Sequence, residues 1–351
     1  MTRKVVLQFD PRLDRLPTGK RLSDGVSAAV SVGDALWLAN DETVALECLR
    51  RVPGGLRYAG HRRYALRDFV ALPNEGDREG DLEGLAYDGS CLWVVGSHAA
   101  VRESAGDGSA RGAIRKLARV RRSGNRHVVA RIPLAAGEPA VEMRVGEGTL
   151  RAARLAGGRK HDALTRALRD DPHLGPFVGI PSKDNGFDIE GVAAAPGGRL
   201  FLGLRGPVID GWACVLDIEL RVRPRRPREL ALVRYRKHFL DLAGAGIRDL
   251  CLAGRDLLVL TGPPMRGKGE ATVRVWKNAL RARADSLVKR DRLAVLLELP
   301  YRRKKDHAEG MTLLARRGAL ASLLILYDSA SRERRVAPAA MTAGLHTVTL
   351  P

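Results

Sequence analysis

Three stretches of this chain repeat one short pattern, in which a glutamate and a glycine are followed by hydrophobic residues. The pattern occupies residues 81–86, 188–193 and 307–312, and each copy is followed by a turn and a short apolar run. Two weaker copies carry an aspartate in place of the glutamate, at Asp24 and Asp249. Short apolar runs bounded by turns are typical of β-strands. The sequence therefore predicts a repeated hairpin that begins with a carboxylate.

The spacing of these five carboxylates indicates the length of the repeat. In chain order they are Asp24, Glu83, Glu190, Asp249 and Glu309, separated by 59, 107, 59 and 60 residues. A period of roughly 40–60 residues, with strand pairs in every unit, is typical of a β-propeller. Each blade of such a fold is a small antiparallel sheet that buries its faces against its neighbours.

We therefore predict an all-β fold in which residues 1–351 form a single six-bladed β-propeller domain. The interval of 107 residues would then hold two units, with a degenerate carboxylate near residues 130–140, where Glu138 is a candidate. Five blades with an insertion in this interval are the first alternative, and a pair of β-sandwich domains is the second. No long Pro-, Gly- or Ser-rich linker divides the chain.

Two segments depart from the strand pattern and predict short helical insertions. In residues 159–172, apolar residues recur at helical spacing until Pro172 ends the run. Residues 277–297 show a similar spacing among many charged residues. The N-terminal residues 5–9 alternate weakly and predict a strand, which in many propellers completes the last blade and closes the ring.

The charge of the chain is strongly positive. Lysine and arginine number 60 against 40 aspartates and glutamates, which gives a formal net charge of +20. The basic residues are spread along the chain, and their clusters are not interleaved with the stacking aromatics that single-strand binders need. We expect a solvated basic surface with non-specific, salt-sensitive adhesion to nucleic acid, rather than a dedicated nucleic-acid site.

The cysteines and the hydropathy pattern bear on the compartment. The four cysteines are scattered without a C-x-x-C pair, which favours buried thiols in a reducing environment. The N-terminal residues lack the long apolar segment of a secretory signal, and no apolar stretch is long enough to cross a bilayer. We therefore expect a cytoplasmic protein that does not enter the membrane.

The repeated carboxylates predict a site at one mouth of the propeller channel. Residues at the same place in every repeat lie at the same height around the axis, so these side chains would form a ring of like charge. Carboxylates that lie close to one another raise each other's pKa unless a cation lies between them. A divalent cation, with calcium or magnesium favoured, is one solution. Pairing with arginine or with backbone N–H groups, which would lock one blade to the next, is the other. The candidate metal ligands are Glu83, Glu190, Glu309, Asn185, Asp249 and Asp24.

Basic side chains beside these carboxylates extend the predicted site. Histidine changes its charge near neutral pH and can move protons. His307, which adjoins a repeated carboxylate, and His98, at the end of a strand, are the candidates for that role. The candidate residues for binding an anionic substrate are Lys183, Arg205, Arg248 and Lys305.

Two stretches carry a resemblance to a known family. Residues 183–191, which read Lys-Asp-Asn-Gly-Phe-Asp-Ile-Glu-Gly, and residues 204–207, which read Leu-Arg-Gly-Pro, are its most specific parts. Over nearly its whole length the chain resembles an uncharacterised bacterial family, the domain-of-unknown-function family 3616. That family looks related to esterase-like propellers associated with phytases, and more distantly to six-bladed lactonases that hold a divalent ion at the channel mouth. The resemblance implies that Glu83, Glu190 and Glu309 could hold such an ion.

Two functions follow from the sequence. The first is a divalent-metal-dependent hydrolase that cleaves an ester, lactone or phosphoester of a small anionic substrate. The second is a non-catalytic scaffold that binds a protein or an anionic ligand through the loops on its rim.

Overall fold

Five four-stranded antiparallel sheets stand around a central axis in this protein. The computed structural model describes residues 3–76, 79–265, 269–300 and 305–350. In these ranges the innermost strands of the five sheets pack side by side in a closed ring. The fold is therefore an all-β propeller, and its described residues form five blades.

The strands of each blade are named here from the channel outwards. Blade 1 is formed by Val26–Val32, Ala35–Asn40, Ala45–Arg51 and Arg57–Ala65. Blade 2 is formed by Leu82–Tyr87, Cys91–Gly96, Val129–Ala135 and Ala153–Leu155. Blade 3 is formed by Asp188–Ala195, Arg199–Gly206, Trp212–Arg223 and Arg226–Asp241. Blade 4 is formed by Gly246–Ala253, Asp256–Gly262, Ala271–Trp276 and Leu293–Leu299. Blade 5 is formed by His307–Arg317, Leu320–Asp328, Ala340–Thr349 and Arg3–Gln8.

The N-terminal strand closes the ring, as the sequence predicted. Arg3–Gln8 pairs antiparallel with Ala340–Thr349 along six residues, so the first and the last described strands both belong to blade 5. Its other edge makes a short parallel pairing with the outer strand of blade 1. The first and last blades are thereby joined by backbone hydrogen bonds as well as by packing.

The core consists of hydrophobic layers between neighbouring blades. Each of the five pairs of adjacent blades encloses one cluster of buried side chains, for example Trp93 with Leu202 between blades 2 and 3. Leu202 and Leu204 are fully buried, and so are Phe201 and Ala213 on the other side of the same blade. Because both faces of a blade are covered, its strands are nearly continuous hydrophobic runs, dominated here by Leu, Val and Ala.

The prediction of six blades is wrong, and the alternative of five blades with an insertion matches the topology. The 107-residue interval between Glu83 and Glu190 holds only the rest of blade 2 and three excursions. Glu138 is not a degenerate copy of the repeated carboxylate. It lies in a short edge strand of blade 2, and its side chain bonds Arg50 of blade 1 at 2.8 Å.

The excursions of blade 2 contain short strands and helices. The strands are Val101–Arg102 paired with Val120–Arg121, Glu138–Pro139 on the third strand of the blade, and Glu142–Val145 paired with Gly148–Arg151.

Short strands elsewhere are Ser286–Val288, beside the outer strand of blade 3, and Arg335–Ala337 in blade 5. The α-helices are Pro11–Asp14, Ala110–Leu117 and Ala163–Leu168. The 3-10 turns are Leu22–Asp24, Leu66–Asp68, Gly124–His127, Gly175–Phe177, Ser182–Asp184, Ala279–Arg281 and Arg290–Arg292.

One predicted helical insertion is present and the other is wrong. Within 159–172, the helix Ala163–Leu168 begins at a capping box in which Asp162 and Thr165 bond each other's backbone N–H groups. Residues 277–297 instead contain two 3-10 turns, the strand Ser286–Val288 and most of the outer strand of blade 4. Sheet pairing in the folded blade overrides the helical spacing of that segment.

The four cysteines are free thiols, three of them buried and Cys251 partly buried. Among the helices of the described ranges, none has the length and apolar character needed to cross a membrane.

Candidate functional site

The inner strand of every blade contains a β-bulge at the same height of the channel. The residues without a partner in the register are Ser27, Glu83, Glu190, Arg248 and Glu309, one in each blade. A bulge adds a residue to one strand and re-aims its side chain. Here it turns four long charged side chains of the ring into one cavity.

The glycine after each repeated glutamate is required by close packing between inner strands. A Cβ atom on Gly191 would lie 2.6 Å from the Cα of Asp249 in the next blade. A Cβ on Gly84 would lie 2.7 Å from a methyl group of Val192. The backbone angle φ of these glycines is not positive, so the absence of a side chain, and not an unusual conformation, explains the Glu-Gly pair.

The cavity into which the bulge residues point lies at one mouth of the channel and has a volume of about 650 Å³. Four basic residues, Arg126, Lys183, Arg205 and Arg248, and His307 also line it. The carboxyl-bearing residues that line it are Asp41, Glu42, Glu79, Asp81, Glu83, Asp188, Glu190, Asp306, Glu309 and Asp328. The described lining of this mouth is thus acidic although the protein is strongly basic, since acidic residues outnumber Arg and Lys ten to four among the described residues that line it.

Arginines occupy the spaces between the central carboxylates. Arg248 bonds Glu190 at 2.8 Å with one guanidinium nitrogen and Glu309 with another. Arg205 contacts Glu190 and Asp188, each at 2.5 Å. Arginine suits such buried sites because its planar guanidinium group can bind two carboxylates at once.

A third fork joins the mouth to an excursion of blade 2. Arg126, in the turn Gly124–His127, bonds both Asp81 and Glu79. The backbone of Asp81 is left-handed, with φ of 47°, at the residue before the inner strand. Its carbonyl oxygen accepts a hydrogen bond from the Ser97 N–H at 3.0 Å, which ties this turn to the second strand of the blade.

The predicted divalent metal does not fit this arrangement. The guanidinium of Arg248 lies where an ion shared by Glu190 and Glu309 would have to lie. Across the described ranges, no group of three or more His, Cys, Asp or Glu side chains is arranged to hold a metal ion. Of the two solutions for the carboxylate ring, the geometry therefore favours pairing with arginine.

Glu83 differs from the other glutamates at the bulges. Its carboxyl accepts no hydrogen bond and forms no ion pair with any residue that the structure describes. Burial raises the pKa of this carboxyl well above its ordinary value, and the charges of Asp81, Glu190, Asp41 and Asp188 raise it further. Glu83 is therefore protonated at a pH at which an exposed glutamate is ionised.

Two neighbouring aspartates are perturbed in the same direction. Burial raises the pKa of Asp41 to about 7, with further contributions from Asp81 and Glu42. Burial also raises the pKa of Asp188, against the opposing effect of the Arg205 guanidinium. The mouth therefore holds several carboxyls that can take up or release protons near neutral pH.

The two predicted aspartate ligands lie outside the cavity. Asp249 follows the bulge residue Arg248 by one position, so its side chain points between the blades. It accepts hydrogen bonds from the Met311 N–H at 2.6 Å and the Leu250 N–H at 2.7 Å, and thereby joins blade 4 to blade 5. Asp24 lies on the rim, where its carboxylate bonds Arg335 at 2.9 Å.

Three other predicted site residues do not line the cavity either. His98 is buried, and its ring bonds Asp162 at 2.8 Å, which fixes the start of the helix Ala163–Leu168. Asn185 uses its amide to bond the backbone of Val208. Lys305 is exposed.

The cavity brings together seven residues of the predicted set. They are Glu83, Glu190, Glu309, Arg205, Arg248, His307 and the exposed Lys183. Sequence reasoning missed Asp41, Asp81, Asp188 and Arg126. A signal for two of these was present, because Asp81 and Asp188 each stand two residues before a repeated glutamate.

The fold and the site together define a five-bladed β-propeller with an arginine-bridged ring of carboxylates at one channel mouth. The chain belongs to the family of proteins of unknown function DUF3616, whose sequence profile matches residues 25–344. The predicted kinship with esterase-like propellers stays a prediction. No curated protein matches the chain.

Several solved structures are similar to this chain at low identity. Streptogramin B lyase is 8% identical, with 98% of each chain covered and a TM-score of 0.34. The PQQ-bound aldose sugar dehydrogenase of Streptomyces coelicolor is 13% identical, with 98% of each chain covered and a TM-score of 0.37. The hydrazine synthase of Kuenenia stuttgartiensis is 11% identical with a TM-score of 0.33, over 86% of this chain but only 56% of that one. At these values the similarity concerns the fold and carries nothing about function.

Proposed function

We propose that the acidic channel mouth binds a small organic cation, such as an amine or a guanidine. The observation that carries this proposal is the unpartnered carboxyl of Glu83 in a cavity where acidic residues exceed Arg and Lys. The chain as a whole has an excess of basic residues, so the acidic lining is a local property of the site.

The arginines of the mouth support a cationic ligand rather than the anionic substrate that we first expected. Arg205 and Arg248 each contact two carboxylates. An anion would have to displace these carboxylates, and each would then be left buried without a partner at a cost of several kcal/mol. A cation needs no such displacement, because Glu83 offers it an unused acceptor.

The size of the cavity and its apolar lining residues favour an organic ligand over a bare ion. Its volume of about 650 Å³ lies in the range of small-molecule sites, roughly 300–1,000 Å³. Apolar residues of blade 2 and blade 4 also line it. They are Val101, Pro263, Pro264, Met265, Leu299 and Pro300. Such residues can cover a hydrocarbon part while the carboxyls hold the charged end.

Binding should release a proton. Glu83 is protonated in the free protein because burial and neighbouring carboxylates raise its pKa. A cation beside the carboxyl favours the ionised form, so its pKa falls on binding and the proton leaves. This release distinguishes a site at Glu83 from non-specific attraction to an acidic surface.

Isothermal titration at pH 7 with agmatine, benzylamine and spermidine tests the proposal. In buffers of different ionisation enthalpy, the binding enthalpy should reveal release of up to about one proton per ligand. Glu83→Gln should weaken binding at least about tenfold, or 1.4 kcal/mol, and abolish the proton release. Glu147→Gln, at an exposed glutamate far from the mouth along blade 2, is the matched control and should change neither. Binding of citrate or a sugar phosphate in place of every amine would refute the charge argument.

A hydrolase of an ester, lactone or phosphoester is the second candidate. It is favoured by one observation, since Glu83 and His307 both line the cavity and neither side chain forms a hydrogen bond or ion pair with the described residues. A protonated carboxyl can donate to a leaving group while an imidazole nitrogen accepts a proton from water. In a screen of esters and lactones, turnover should disappear in folded Glu83→Gln, and turnover that survives this change would exclude the assignment.

A further inference from the structure

A second cavity lies at the opposite end of the inner strands, between blades 3 and 4. It has a volume of about 610 Å³ and is lined at its base by the turn of blade 3 that contains Pro196 and Gly197. The charged residues that line it are Arg199, Arg234, Arg236, Arg255, Arg281, Arg283 and Glu219. Six arginines against one glutamate give this cavity the opposite charge to the acidic channel mouth.

These arginines come from separate parts of the chain. Arg199 and Arg236 stand on the second and fourth strands of blade 3, and Arg255 stands in the first turn of blade 4. Arg281 and Arg283 belong to the connection that leads towards the outer strand of blade 4. Only the folded ring brings them together, which is why their cluster is absent from the sequence pattern.

Buried carboxylates hold part of this cluster in place. Asp217, only 1% exposed, bonds Arg199 at 2.7 and 2.8 Å and Arg236 at 3.0 Å. Arg199 also donates to the carbonyl oxygens of Leu280 and Ala282 at 2.8 and 2.9 Å. These bonds fix the connection between the third and fourth strands of blade 4 against blade 3.

The side chains of two of the arginines have no partner among the described residues. Arg255 and Arg281 are exposed, and their guanidinium groups form no hydrogen bond or ion pair within the described ranges. Arg283 donates only to backbone carbonyls, at 2.7 and 3.2 Å. Three guanidinium groups without carboxylate partners among the described residues therefore line this cavity.

We propose that this arginine cavity binds the phosphate chain of a small, multiply phosphorylated ligand. Arginine presents its N–H groups in a planar fork that matches phosphate oxygens, and such bonds are about twice as strong as neutral ones. Three unpaired guanidinium groups require more negative charge than one carboxylate supplies, and a chain of two or three phosphates supplies it. The cavity is large enough for such a ligand, and none of the described residues that line it is an aromatic side chain on which a base could stack.

Titration of tripolyphosphate into the full-length protein tests the site. We expect a single saturable site that weakens at least tenfold in the double variant Arg255→Ala/Arg281→Ala. The matched control is Arg111→Ala/Arg115→Ala, which removes the same charge from an exposed helix of blade 2 and should leave the affinity within about twofold. Arg255→Lys/Arg281→Lys keeps the charge but loses the fork, and its affinity should fall between those of the wild type and the alanine variant.

A ten-nucleotide oligothymidylate serves as the second probe and separates a small ligand from nucleic acid. The proposal expects this strand to bind more weakly than tripolyphosphate at 150 mM salt, and with equal losses in both double variants. Tight binding of the strand that depends on Arg255 and Arg281 would overturn it in favour of a nucleic-acid surface. Equal loss of tripolyphosphate binding in both double variants, or no saturation below millimolar concentration, would also overturn it.

Discussion

Replacing Glu83 by glutamine should stabilise this protein above neutral pH. The carboxyl has a raised pKa because it is buried among other acidic groups without a partner. Such a group binds its proton more tightly in the folded state than in the unfolded state. The free energy of unfolding then falls as the pH rises from the ordinary value of 4.5 towards the folded pKa, and it levels off above that pKa. Glutamine has no proton to lose, so the variant avoids this decrease.

The expected size follows from how far the pKa of Glu83 rises on folding. Each pH unit between the unfolded and the folded pKa contributes about 1.4 kcal/mol to the difference between the two proteins. The glutamine amide gains no partner in this pocket, and that loss of hydration costs about 1 kcal/mol at every pH. Because burial and four neighbouring carboxyls raise the pKa of Glu83 well above its ordinary value, the variant should be the more stable protein at high pH, while at pH 4 it should be the less stable one.

Urea denaturation of the wild type and Glu83→Gln at pH 4, 5, 6, 7 and 8 measures this difference. The test is the change of sign and the slope between pH 5 and pH 7, which do not depend on the absolute stability of either protein. Glu147→Gln, in an exposed position, should show a constant and near-zero difference. A difference for Glu83→Gln that stays flat over this range would show that Glu83 ionises normally, and the account of the site would then fail.

Two further substitutions test the packing of the ring. Arg248→Ala should destabilise the protein by about 3 kcal/mol in urea denaturation at pH 7, because it leaves Glu190 buried with one fewer cation. Gly191→Ala should cost at least about 3 kcal/mol or prevent folding, since its Cβ would overlap the backbone of Asp249. Gly55→Ala, where a Cβ meets no atom within 4 Å, should be close to neutral in the same measurement. Equal effects of the two glycine changes would contradict the close-packing argument.

Much of the fold could be predicted from local patterns. The strand pairs, the N-terminal closing strand and the helix that ends before Pro172 all followed from periodicity and turn residues, which act over a few residues. The blade count did not follow, because a uniform repeat length was assumed across the long interval. The insertions of blade 2 occupy that interval, and loop length has little effect on whether flanking strands pair.

The site was predicted less completely than the fold. Glu83, Glu190 and Glu309 line one cavity, as the repeat predicted. Asp249 does not, because the bulge in blade 4 falls one residue earlier, at Arg248. A shift of one residue moves a strand side chain to the opposite face, and the sequence contains no clear signal for where a bulge falls.

By itself, therefore, the sequence determined that this chain forms hairpins around a channel and that acidic residues begin them. Those features depend on side-chain alternation and turn chemistry between neighbouring residues. Only the tertiary structure decided that the ring has five blades, that Arg205 and Arg248 neutralise Glu190, and that Glu83 is left without a partner. These outcomes depend on distances between residues far apart in the chain, and such distances are set only when the blades close into a ring.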